Sequence, residues 1–308
     1  MPPITLLLFF SLIAFQGVIG AHSAHNRKSL IDLSGTSNSQ PDPLASTYPN
    51  NVTGTVNQTI VVVPIPYSLA RCLIPEKYNI LSNYAAMLPG FPSNMYPLVI
   101  EGKLDHDVQI SGIGSPDFTS VQFNFPFIDL LGDGYSTFRY MPTLIISNNP
   151  VAIAGVALYG PDVIVANFDP PSDPYAYAPA SQSPAPGAIY FNAMSPLDQD
   201  DRYVSAIFAP LASGDDGPYP LSFYQNVTNQ PVFGNGLVCD NQIRFFNTPI
   251  THEAYAPVAI QGNITVTKPY LPMTTEFTDV YGLKLDTAFV ENNYLSCASL
   301  KGYSYQGQ

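Results

Sequence analysis

Apolar and polar positions alternate along much of the chain. Val121, Phe123, Phe125 and Phe127 are interleaved with Gln122, Asn124 and Pro126, a period of two that sets aromatics on one face of a strand and amides on the other. Residues 96–113 carry Val99, Ile100, Leu104, Val108 and Ile110 among polar neighbours and predict a second strand; the β-branched run 60–65 predicts a third. Gly132-Asp133-Gly134 marks a hairpin turn into a strand over 135–146, which Asn148-Asn149-Pro150 stops. Further strands are predicted over 188–191, 203–208, 242–246, 256–260 and 264–266. Helix signals are few. Residues 151–158 combine Ala152, Ala154 and Ala157 with Asn149 as a cap and Pro150 in the first turn, and residues 68–74 can form a short turn of helix before Pro75 ends it. The proline-rich stretch 170–186 reads as a surface excursion, because strand pattern resumes beyond it. The sum is a mainly β fold, a closed antiparallel β-barrel with short helices, in a single domain over residues 58–308.

The ends of the chain have a different pattern. Residues 4–19 are apolar except for Thr5, Ser11, Gln16 and Gly17, and the small residues of Val18-Ile19-Gly20-Ala21 follow, so residues 1–21 predict a secretory signal peptide. No other apolar run approaches the roughly 20 residues a membrane span needs, so no stable span is expected after cleavage. Residues 22–57 are rich in Ser, Asn and Pro and predict a flexible, glycosylated leader. Acceptor triplets begin at Asn51, Asn57, Asn226 and Asn263, and together with the signal they predict a secreted, extracellular glycoprotein. Cys72, Cys239 and Cys297 allow one disulfide in any of three pairings; Cys239 with Cys297 is favoured because both lie in the C-terminal part.

Composition narrows the function classes. Only 11% of the 308 residues are charged, with 31 Pro and 20 Tyr, which argues against an all-helical fold. Eleven Lys and Arg against 23 Asp and Glu give a formal charge of -12, so nucleic acid is not an expected partner. No GxSxG, HExxH, P-loop or GxGxxG motif occurs, and no CxxC or CxxH spacing suggests a thiolate zinc site. In Asp105-His106-Asp107 the strand period places the two Asp on one side and the His on the other, a poor metal site that reads as a solvated strand. Asp198, Asp200 and Asp201 have the acidity of a calcium loop, but Tyr203 stands where such a loop needs Gly. His252 and Glu253 are strand neighbours that point apart. No metal and no cofactor are expected.

Three segments carry a resemblance. Gly134-Tyr135-Ser136-Thr137-Phe138-Arg139-Tyr140-Met141, then Asn148-Asn149-Pro150-Val151-Ala152-Ile153-Ala154-Gly155, then Leu158-Tyr159-Gly160-Pro161 together resemble the acetoacetate decarboxylase family. Ala70-Arg71-Cys72-Leu73-Ile74-Pro75-Glu76 is similar to an early segment of that family, and residues 242–257 to its late strands, so the resemblance spans roughly residues 60–272. It implies a closed β-barrel around a hydrophobic pocket and action on a keto acid. In that family a lysine just after the Gly-Pro segment forms a Schiff base, its pKa lowered by desolvation and a neighbouring cation. Here Asp162-Val163-Ile164 follow Gly160-Pro161, and the next lysine after them is Lys268. The family's helical Arg and Glu correspond to Val156 and Ala157, its pocket arginine to Pro64 and its pocket glutamate to a position near Ser120. The chain is therefore a divergent relative by resemblance, with the Schiff-base motif missing.

Candidate site residues follow from that match. Tyr140, at the family's interior tyrosine, and Asp162, at the lysine position, are the candidate catalytic groups, Asp162 as a general base if buried. Ser120, Gln122, Arg139 and Met141 are the candidate substrate contacts. Alternation lets only one of Arg139 and Tyr140 face the lumen, and the plainer role for Arg139 is a surface ion pair. Two functions remain. One is a secreted enzyme acting on an apolar carbonyl or keto-acid substrate by decarboxylation, isomerisation or cyclisation without an imine; the other is a non-catalytic extracellular carrier of a small apolar ligand.

Overall fold

The computed structural model describes Ser37, residues 40–252 and residues 255–303. The predicted signal peptide, the start of the predicted leader and Glu253 lie outside the described residues. In chain order, β1 (Val52–Pro66) leads to α1 (Tyr67–Leu73), β2 (Asn79–Ile80), α2 (Tyr84–Met87), β3 (Met95–Ile110), β4 (Ile113–Gly114) and β5 (Phe118–Asp129). Next come β6 (Phe138–Tyr140), β7 (Thr143–Ile146), α3 (Pro150–Ala157), β8 (Asp162–Val165), β9 (Asn167–Asp169), β10 (Ala176–Tyr177), β11 (Ile189–Met194) and β12 (Arg202–Pro210). The last part holds α4 (Leu221–Thr228), β13 (Val232–Phe233), β14 (Val238–Phe245), β15 (Val258–Val266) and β16 (Thr275–Ser296).

Hydrogen bonding runs β1-β3-β5-β6-β13-β14-β16, and β16 pairs again with β1, which closes a barrel. Closure leaves that ring without an exposed edge. The ring pairs are antiparallel except for β6 with β13, a short parallel seam. Strand β16 is 22 residues long and changes partners along its length. Its early part pairs with β15, from which an arm of β12, β11 and β10 extends, while Val238–Ser296 through Phe245–Ala288 join its later part to β14. The arm packs on the barrel wall at Gly102 of β3, where a Cβ would lie 2.6 Å from the Phe191 ring. A side chain there would separate the two layers.

Local signals decide where several elements end. Helix α1 stops at Ile74, before Pro75, and α3 is capped by Asn149, whose side chain accepts from the amides of Val151 and Ala152. The strand expected over 135–146 is broken by Pro142 into β6 and β7. Proline lacks the amide a continuous ladder requires; the break leaves β6 in the ring and lets β7 pair with β5 and β8. Strand β1 starts at Val52, so the leader ends sooner than residue 57, and Asn57 is fully buried within it. Its Oδ1 accepts at 2.9 Å from His106 Nε2, and a glycan cannot be placed there. Strand β16 and helix α4 carry no expectation from the sequence. Cys239 and Cys297 form a disulfide that ties β14 to the end of β16, and Cys72 is an exposed free thiol.

Candidate functional site in the barrel lumen

Directly paired residues on neighbouring strands share a face. Glu101, Lys103 and Asp105 of β3 lie opposite Gln122, Ser120 and Phe118 of β5. Arg139 lies opposite Val232, which in turn faces Asp240; Gln242 and Arg244 of β14 face Glu291 and Phe289 of β16. These pairings converge on a cavity of about 60 Å³ inside the barrel, lined by Lys103, Asp105, Ser120, Gln122, Arg139, Asp240, Gln242, Arg244 and Glu291. An apolar collar of Val108, Phe118, Leu144, Val156, Tyr159, Val232 and Phe289 completes it. At roughly 10–15 Å³ for each water, such a space holds about four to six waters, or a ligand of similarly few heavy atoms.

One side of the lumen is a fixed ionic framework. Glu101 is fully buried, with Oε1 2.9 Å from Arg139 Nη1 and Oε2 2.8 Å from Arg244 Nη1. Asn124 donates to Glu101 at 2.9 Å, Arg139 Nε to the Gln230 carbonyl at 3.0 Å, and Arg244 to Gln58 at 2.7 Å. Burial alone would raise the Glu101 pKa, but Arg244, Arg139 and Lys103 outweigh it and hold the carboxyl below its usual range. Burial pulls the Arg139 guanidinium down to about 10, against the attraction of Glu101, so it stays charged at neutral pH. Lys103, 4% exposed, has its Nζ 3.2 Å from Asp105.

Asp240 and Glu291 line the same cavity. Burial raises the Asp240 carboxyl to about 6. It pushes Glu291 well above its usual range, further raised by the Asp240 charge and a hydrogen bond between the two. Neighbouring carboxyls, Asp240 buried and Glu291 half-buried, are costly to ionise together, and the larger rise on Glu291 makes it the one that keeps its proton to higher pH. One more buried group has no hydrogen-bond partner within the protein: Ser120 Oγ. A buried polar atom of this kind aimed at a cavity is a contact point for whatever enters it.

Several expectations are corrected. Tyr140 faces away from the lumen into an aromatic layer, its ring 5.5 Å from Phe233, 5.8 Å from Tyr78 and 6.1 Å from Phe125. Alternation gives the lumen to Arg139 instead, and its ion pair is buried, not at the surface. Asp162 is exposed at the start of β8, where water solvates it, so the burial that would make it a base at neutral pH is missing. Met141 is fully buried in a small cluster with Leu144, Ile146, Tyr159 and Val232 and does not line the cavity. The two Asp of Asp105-His106-Asp107 do not share a face: Asp105 is in the lumen, His106 is buried outside it against Thr55 and Asn57, and Asp107, exposed and at a φ of 52°, turns to His106, its Oδ2 2.8 Å from Nδ1. Asn51, Asn226 and Asn263 are half-buried; Asn226 accepts from Gln230, and Asn263 from the Asp279 amide. The hydrophobic lumen without an amine that the resemblance suggested is instead a charged one containing Lys103.

Sequence reasoning passed over Glu101, Lys103, Asp240, Arg244 and Glu291. A signal was present in β3, where Glu101, Lys103 and Asp105 recur at period two amid apolar residues of a chain poor in charge. Among the described residues no group of three or more His, Cys, Asp or Glu is placed to hold a metal ion.

No family model matches the chain, and no curated protein does. Among solved structures, the chain is similar to the enduracididine biosynthesis enzyme MppR, with TM-score 0.48 and 10% identity over 80% of this chain and 86% of that one. An acetoacetate decarboxylase-like enzyme from Sphingomonas wittichii RW1 gives TM-score 0.42 and 6% identity over 80% and 93%. Acetoacetate decarboxylase from Legionella pneumophila gives TM-score 0.40 and 12% identity over 89% and 97%. A likeness of this degree leaves the chemistry to this chain's own residues.

Proposed function

We propose that the chain is an enzyme that moves a proton on a small carbonyl compound in the barrel lumen, with Glu291 as the acid and Asp240 as its charged partner. What supports this reading is a pair of neighbouring carboxyls at the wall of a cavity, both pushed above the usual carboxylate range, Glu291 the further. Such a pair suits enolisation: the Asp240 carboxylate takes a proton from the carbon next to a carbonyl, and Glu291 gives its proton to the carbonyl oxygen. The enol and the reversed proton pattern on the pair balance the step. Lys103 and the unpartnered Ser120 Oγ are positioned to hold the carboxylate or oxygen of a small oxo acid. Isomerisation or an acid-assisted decarboxylation fits this arrangement. An imine is not part of the reading, because the Lys103 charge is committed to Asp105. The small, polar lumen also moves the substrate class away from larger apolar ligands. Export as a glycoprotein belongs to the same proposal, supported by the apolar run 4–19 and the triplets at Asn51, Asn226 and Asn263.

A second reading, a carrier of a small polar ligand, is favoured by the internal pairing of every luminal cation named above. Proton NMR of pyruvate in deuterated water separates the two. The enzyme reading expects protein-dependent exchange of the methyl protons, lowered about 10²- to 10⁴-fold in Glu291→Gln and Asp240→Asn. Binding with no exchange supports the carrier, and exchange unchanged in both variants refutes the role of the pair. Borohydride treatment with pyruvate is expected to leave the intact mass unchanged; an adduct at Lys103 replaces acid-base chemistry with an imine.

A further inference from the structure

Strand β5 separates two cavities, one lined by charged side chains and one by none. Ser120 and Gln122 face the charged lumen, while Phe123 and Phe125, on the other face, line a second cavity of about 180 Å³, three times the luminal 60 Å³. The two share no lining residue. Leu98, Phe125 and Leu271 are buried within the second cavity, and Leu73 and Thr143, half-buried, stand at its edge. One wall is fixed in place: the Tyr270 ring stacks on Phe123 at 3.6 Å and 14°, and its hydroxyl donates to the Val121 carbonyl at 3.2 Å. No charged side chain lines this space.

Aromatic and aliphatic side chains leave about 180 Å³ here, room for a small guest. A cavity of comparable size, about 150 Å³, lined by Leu, Ile and Phe takes up benzene. Ring faces and edges on the walls favour an aromatic guest over an aliphatic one through quadrupole complementarity. We propose that this cavity is a binding site for a neutral, monocyclic aromatic molecule of about toluene size, separate from the luminal site and independent of its chemistry.

Fluorine NMR titration of the full chain with fluorobenzene tests this. The expected result is saturable binding of one equivalent, competed by toluene more strongly than by cyclohexane, with contacts from the probe to the Leu98 and Leu271 methyls. Leu73→Trp at the edge and Leu98→Phe inside are each expected to weaken binding at least tenfold, while Glu291→Gln in the lumen leaves it unchanged. Non-saturable partition, absence of the Leu98 and Leu271 contacts, or full affinity in both cavity variants overturns the proposal. Loss of binding in Glu291→Gln would place the probe in the lumen and also overturn it. Equal competition by cyclohexane would remove the aromatic class. Because pyruvate exchange reads the lumen and fluorobenzene reads the outer cavity, either proposal can fail without the other.

Discussion

Glu101 sits where two guanidiniums meet, and its neutral replacement would leave both without their counter-charge. Removing one partner of a buried ion pair costs about 3–5 kcal/mol, far more than a surface pair contributes. Glu101→Gln is therefore expected to lower the unfolding free energy by about that amount in urea titration at pH 7; a loss below about 1 kcal/mol would show that Arg139 and Arg244 find other partners. At this scale the sequence was legible in part. The alternation of Glu101, Lys103 and Asp105 shows three charges on one strand face, but not that the face points into a barrel. For Arg139 and Tyr140 the rule that they face opposite ways holds, and the choice of face went the other way. That choice depends on which side of β6 meets β14 and β16, which no local pattern contains.

No residue of helix α3 is fully buried, and only Ala152, Ile153 and Val156 pack on the cluster around Met141. Its start depends on the Asn149 side chain, which accepts from Val151 at 3.0 Å and Ala152 at 3.1 Å. Loss of such a cap costs about 1 kcal/mol. Asn149→Ala is expected to speed amide exchange at Val151 and Ala152 while global stability falls by no more than about 2 kcal/mol. Unchanged exchange there would mean that the helix is held by other contacts. Val156 of this helix belongs to the luminal collar, so its fraying would loosen the mouth of the site. Caps, prolines and turns of this kind are local, and for that reason α1 and α3 are readable in the chain. Strand β16 is not: Gly282 and its many polar residues break the alternation, yet the close approach of its backbone to Ile60, where a Cβ would lie 2.1 Å from a carbonyl, suits only glycine.

For the molecule as a whole, buried acids set how stability varies with pH. Burial raises Asp286 to about 7, with Lys284 opposing and Asp173 adding to the shift, and Asp240 moves the same way to about 6. Below about pH 4 such groups are protonated folded or unfolded, and they contribute no difference. As pH climbs from there to 7, the folded state keeps protons that the unfolded chain releases, so stability falls; above 7 the Asp286 contribution is constant. Glu101, held low, contributes in the opposite sense, with stability present above its unfolded pKa and lost in acid. Asp286→Asn is expected to raise the melting temperature more at pH 8 than at pH 5, the gap opening between about pH 4 and 7. A gap that does not change with pH would show that Asp286 is solvated in the folded state.

By itself the chain determined its class and its punctuation: period-two runs that make strands, prolines and asparagines that stop or cap them, and too few charges to cover helical surfaces. Only the tertiary structure decided which face of each strand is inside. Ring closure between β1 and β16, residues far apart in the chain, gathers the scarce charges of β3, β6, β14 and β16 into the lumen and sends the aromatics of β5 outward. The physical reason is that alternation fixes the relation between neighbouring side chains along a strand, while the assignment of a face to core or lumen depends on partners brought together only when the sheet closes.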